Sequence, residues 1–304
     1  MSTEGMSITV TVTRRSFFPR VVTPKMILLD GMSFGCSREG RFLPGEYGKD
    51  TVIAYHNDHI GRGILIRWDD HNIRFTELKL NLPASSEEID DFFLMSARLA
   101  RQDLSEVTLN GEPFAPKTYH DVVEKVKVYN LKLLHEMMGN ILNEESDMVS
   151  IGCVFHRLAA GMKEADRMWA GVSTDVFRDW MHQSQSTDAY FSEARLSSPE
   201  SEEEQTAVFT LPSNRPVIFP DREELPIRFY DLSTGKPRYQ VSDWLVELVD
   251  HTQRKVLGNV SFQQLKRFLP QEKVSYFDAA DSLIEPLTVE DLSRILEQAE
   301  QEHV

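Results

Sequence analysis

Cysteine is scarce in this chain: Cys36 and Cys153 are its two, far apart and without Cys-x-x-Cys or zinc-ribbon spacing. That excludes a disulfide framework and points to a reducing, cytoplasmic compartment. Positive charge is short as well. With 33 Lys and Arg against 48 Asp and Glu, the formal net charge is −15. Phosphate backbones and anionic lipid surfaces are therefore repelled wherever no basic patch overrides the sum, and none is visible. Nucleic acid and membrane are not the expected partners. Every apolar run falls far short of the roughly 20 residues that span a bilayer. The run from Thr13 to Phe18 has the look of a twin-arginine export motif, but Pro19, Arg20, Pro24, Lys25 and Asp30 interrupt the apolar region such a signal needs.

Kinase, zincin, EF-hand and dinucleotide fingerprints are absent too. His135-Glu136 is not a zincin start, because Gly139 stands where the second histidine belongs. No cofactor and no metal are expected on these grounds. Enzymes whose groups converge only in three dimensions remain open.

What the chain does have is a concentration of glycine and histidine in residues 31–71. Gly31, Gly35, Gly40, Gly45 and Gly48 are interleaved with charge and Pro44, which reads as a structured loop. A phosphate loop would need Ser or Thr after Lys49 and then a helix. Asp50 follows instead, and then Thr51 to Tyr55, a β-branched run. Gly61-Arg62-Gly63 reads as a bulge or tight bend. His56 and His59 form one group of candidate ligands or acid–base residues, and Asp69, Asp70 and His71 another. The intervening strand separates the groups by roughly 20 Å at ~3.3 Å per residue, too far for one metal site. Cys36, between Gly35 and Ser37, is open enough for a nucleophile, and a small buried thiol is the simpler reading. Cys36, His56 and His59 are thus the candidate site residues.

The patterning predicts an α+β fold, mostly antiparallel sheets with packed helices, in two sequential halves. The first half, residues 1–145, begins with a strand over 7–13 and a short helix after Thr23-Pro24. Strands over 51–55, 64–68 and 72–82 follow. Ser85 with Glu88 makes a capping box for a helix to about residue 102. Asn110-Gly111 turns a hairpin. A longer helix capped by Thr118 presents Val122, Val126, Tyr129, Leu133, Met137 and Ile141, and carries His120 and His135 on its surface. The polar run 143–147 is the expected boundary. The second half, residues 146–304, adds a strand over 148–155, an irregular stretch, a helix capped by Ser173 or Thr174, and strands over 188–196 and 206–211. The linker between those strands, with Glu200, Glu202, Glu203 and Glu204, reads as a solvated tip or a docking site for a basic partner. Further strands follow, then helices capped by Ser261 and Thr288.

Several phrases resemble an uncharacterised bacterial family of about 300 residues, described as a domain of unknown function. They are residues 27–35 (ILLDGMSFG), 59–63 (HIGRG), 241–244 (VSDW) and 276–278 (YFD) with 285–288 (EPLT). The resemblance implies no activity and transfers no site residue. The expected function is a non-enzymatic, acidic protein-interaction module with an unidentified protein partner. The alternative is an enzyme or small-molecule binder built on residues 31–71.

Overall fold

The computed structural model describes residues 6–14, 23–38, 41–69, 72–101, 105–114, 119–171, 173–197, 205–231 and 233–302. Arg15 to Phe18, the Asp70-His71 pair, the expected Thr118 cap and the glutamates of the acidic linker lie outside them. Backbone contacts group the chain into two compact units, residues 1–187 and 188–304. The polar run 143–147 lies inside the first unit and closes a helix there. The fold is α+β.

In the first unit, β1 (Ser7–Arg14) and α1 (Pro24–Ile27) are followed by β2 (Met32–Arg38) and β3 (Arg41–Pro44). Then come β4 (Thr51–His56), β5 (Ile64–Asp69), β6 (Asn72–Asn81) and α2 (Ser86–Ala100). A short hairpin, β7 (Ser105–Leu109) and β8 (Glu112–Pro113), completes an eight-stranded antiparallel sheet in the order β3-β2-β4-β5-β6-β1-β7-β8. The register aligns Ile8 with Leu80 and Leu80 with Ile64, then Val10 with Leu78 and Leu78 with Ile66. Apolar residues two apart thus form rows across one face, and α2 buries Ile89, Phe92, Phe93 and Leu99 in the same core. Each such buried side chain contributes about 1.5–3 kcal/mol.

The expected glycine-rich loop is instead largely the β2–β3 hairpin at the sheet edge. A Cβ on Gly35 would stand 2.5 Å from the Leu43 carbonyl oxygen, so glycine admits β3 against β2.

α3 (Tyr119–Leu142) packs along α2. Its buried face is Val123, Asn130, Leu133, Leu134, Met137, Met138 and Ile141. Tyr129, expected to face the core, is 51% exposed. Asn130 takes the inward position and clasps the backbone before α2, its Oδ1 accepting from Ala84 N and its Nδ2 donating to Ala84 O, both at 2.8 Å. The expected strand over 148–155 shortens to β9 (Val149–Ile151), paired with β10 (Leu158–Ala160). The irregular stretch holds a helix, α4 (Met162–Trp169), and α5 (Asp175–Gln185) closes the unit.

The second unit opens with β11 (Tyr190–Phe191), β12 (Arg195–Leu196), β13 (Gln205–Pro212) and β14 (Val217–Pro220). β15 (Tyr230–Asp231) and β16 (Lys236–Pro237) form a small hairpin before β17 (Val241–Asp250) and β18 (Lys255–Ser261). α6 (Phe262–Phe268), β19 (Val274–Tyr276), β20 (Asp281–Ile284) and α7 (Val289–Gln301) complete it. Two four-stranded sheets, β11-β14-β20-β19 and β12-β13-β17-β18, are antiparallel except at β11/β14 and β13/β17. Phe209, Phe219 and Phe262 meet at its core beneath Leu292 and Ile295 of α7. Ser261 with Gln264, and Thr288 with Asp291, form reciprocal capping boxes.

Candidate functional site

β4 ends on His56, and the chain turns through residues 57–61 before β5. Asn57 fixes the start of this turn by donating its backbone N–H (3.1 Å) and its side-chain Nδ2 (2.6 Å) to Gly31 O. Asp58 N donates to His56 Nδ1 at 3.2 Å. An accepting ring nitrogen carries no proton, so His56 is protonated on Nε2. That Nε2 lies 2.7 Å from where a Gly31 Cβ would stand, and Gly31 has φ +83°. Only glycine satisfies both conditions without strain. His59 then stacks on His56, with ring centroids 4.2 Å apart and planes 9° from parallel.

α2 supplies the carboxylates. Ser85 Oγ accepts from Glu88 N (3.1 Å), and Glu88 Oε2 accepts from Ser85 N (3.2 Å), so the capping box fixes the helix start. Glu88 does more than cap: its Oε1 accepts from Gly63 N at 2.9 Å. Gly61 lies so close that a Cβ there would be 2.5 Å from Glu88 Oε2. Burial pushes the Glu88 carboxyl upward, against the Gly63 and Ser85 N–H groups and the Arg62 charge. Arg62 is itself buried, donating Nε to Gly152 O (3.0 Å) and Nη1 to Pro83 O (3.2 Å).

Three residues beyond Glu88, and so on the same helix face, Asp91 reaches His59. Its Oδ2 is 2.9 Å from His59 Nε2, with the two side chains 14% and 16% exposed. Burial lowers the His59 pKa, but the hydrogen bond and charge of Asp91, helped by Glu88 and Glu87, outweigh it and raise the value above that of ordinary histidine. The carboxylate holds the proton on Nε2 and leaves Nδ1 without a protein partner among the described residues. α5 closes the turn from the other side. His182 Nδ1 accepts from Ile60 N at 3.0 Å. Arg178 bonds Glu87 and Asp179, and Thr174 Oγ1 lies 2.9 Å from Ser86 Oγ.

The structure brings His56 and His59 together and leaves Cys36 out. Met32 is the β2 residue opposite His56, and Cys36 lies four positions along, about 13 Å at the strand rise, buried against β3. Among the described residues no three His, Cys, Asp or Glu side chains converge to hold a metal ion. His120 and His135 stay on α3, and His135 contacts Trp169 at 5.5 Å. Sequence reasoning missed Asp91 and His182. Asp91 carries a signal, its i+3 spacing from the capping glutamate. His182 carries none, because 122 residues separate it from Ile60.

The family described as "Domain of unknown function (DUF4299)" matches residues 7–295. The chain belongs to this family. The DUF4299 match runs through both units and covers His56, His59, Asp91 and His182. No curated protein and no solved structure matches the chain.

Proposed function

We propose that the first unit of this DUF4299 chain binds a small molecule at the His56–His59–Asp91 cluster and exchanges a proton with it at His59 Nδ1. The observation that carries this reading is the 2.9 Å bond between His59 Nε2 and Asp91 Oδ2. A carboxylate on one imidazole nitrogen sets the tautomer, makes the other nitrogen a better base and stabilises the imidazolium once formed. His56, protonated on Nε2 by the logic of its Nδ1 bond, adds a donor on the stacked ring. The ligand favoured by this pair offers both an acceptor and a transferable proton. A thermal-shift panel of small metabolites tests the reading against His59→Gln, whose amide keeps a donor on Asp91 but has no Nδ1. At least one compound should raise Tm of the native chain and leave the variant unmoved. Equal shifts in both, or none in either, would contradict it.

A protein-interaction role rests on a separate observation. Val128 and Tyr129, adjacent on α3, are 70% and 51% exposed on a chain of net charge −15. This exposed apolar pair, with the exposed Lys125 and Lys132 one helical turn away on either side, suits a partner with its own apolar contact.

A further inference from the structure

Three imidazoles hold the turn 57–61, and they do so in opposite senses. His182 Nδ1 accepts the Ile60 N–H, and His56 Nδ1 accepts the Asp58 N–H. Both bonds require an unprotonated nitrogen, and imidazolium has none. His59 works the other way. Its Nε2 donates to Asp91, and a charged donor strengthens that bond.

We infer that residues 58–60 exchange their anchors with pH. Near neutrality the turn is tied to α5 through His182 and to α2 through Asp91. On acidification His182 and His56 release the amides of Ile60 and Asp58, while His59 holds Asp91 more firmly. The charged groups around the turn support that order. α2 presents Asp91, Glu88 and Glu87 to His59, all of which favour its cation. Asp58 Oδ2 lies 3.9 Å from His56 Nδ1 and attracts that ring once it is charged. On α5, Arg178 is occupied by Glu87, Asp175 and Asp179. The stack adds a push, because parallel rings 4.2 Å apart repel when both are cations. The ends of the turn stay in place: Asn57 remains on Gly31 O, and Gly61 and Gly63 are packed against Glu88. The device stands on the turn's own hydrogen bonds and does not depend on the ligand reading.

Amide hydrogen exchange, followed by NMR on the full chain from about pH 7.5 to about pH 5 and corrected for the intrinsic rate, tests it. Protection of Ile60 and Asp58 should fall roughly tenfold or more across that range, with Asn57 unchanged as the internal reference. In His182→Asn the side-chain oxygen stands in for Nδ1 as an acceptor that takes no proton, so Ile60 should keep its protection at acid pH. Constant Ile60 protection in the native chain would overturn the proposal, whatever the variant does. An equal loss in native chain and variant would overturn it as well. Because the readout is an amide and no ligand is present, failure here is distinguishable from failure of the binding reading.

Discussion

His59 and His156 share a unit, and burial and charge move them in opposite directions. His59 is raised, because Asp91 outweighs the desolvation of the ring. Its stabilising contribution is complete below the unfolded value of about 6.5 and is lost as pH rises through the folded one. His156 is lowered to about 4 by burial, and then by the nearby Arg157 charge. Its neutral form is the folded form, held where Gln185 accepts from Phe155 N at 2.7 Å and donates to His156 O at 2.9 Å. The unfolded chain therefore takes up a proton first as pH falls. Stability present above about 6.5 drains away down to about 4, roughly 3 kcal/mol in all. Urea denaturation across that window should show a steep loss on the acid side in the native chain and a flatter profile in His156→Gln. Equal slopes would show that His156 does not carry the acid-side loss.

Among the elements, those with local punctuation were legible and those defined by distant neighbours were not. The capping boxes at Ser85, Ser261 and Thr288, and the Asn110-Gly111 turn, announce themselves within a few residues. The β2–β3 hairpin did not, because Gly35 within β2 serves close packing against β3 rather than a turn. α3 was legible as a helix and in most of its inward face, with Leu133, Met137 and Ile141 buried and Val122 and Val126 packed on the core, but not at residue 129. Apolar spacing placed Tyr129 inward, whereas the structure places Asn130 there, paid for by two bonds to Ala84. Of the candidate site, the histidines were legible through their clustering, and their partners lie on α2 and α5, distant in sequence. Gly31 is where element geometry and site meet. Gly31→Ala adds a Cβ 2.7 Å from His56 Nε2 at φ +83°. It should destabilise the chain by about 1–3 kcal/mol and unstack His56 from His59. A native-like denaturation midpoint with unchanged His56 ring shifts would contradict that.

At the scale of the whole molecule, each unit has a core of its own, one around α2 and the eight-stranded sheet, the other around Phe209, Phe219 and Phe262. The DUF4299 match spans both. Among the described residues no helix is long and apolar enough to cross a membrane. The charge of −15 acts over the whole surface and weakens with salt, over a screening length of about 10 Å at 0.1 M. If Val128 and Tyr129 anchor a partner, serine at both positions should abolish its capture from lysate, and capture indifferent to that change would end the interaction reading. If Asp91 makes His59 a poised base, nitrogen-detected NMR titration of the histidine rings in the full chain shows it most directly. Neutral His59 should carry its proton on Nε2, and its pKa should lie above that of ordinary histidine and fall in Asp91→Asn. A His59 protonated on Nδ1, or one whose titration ignores the Asp91 substitution, would contradict it.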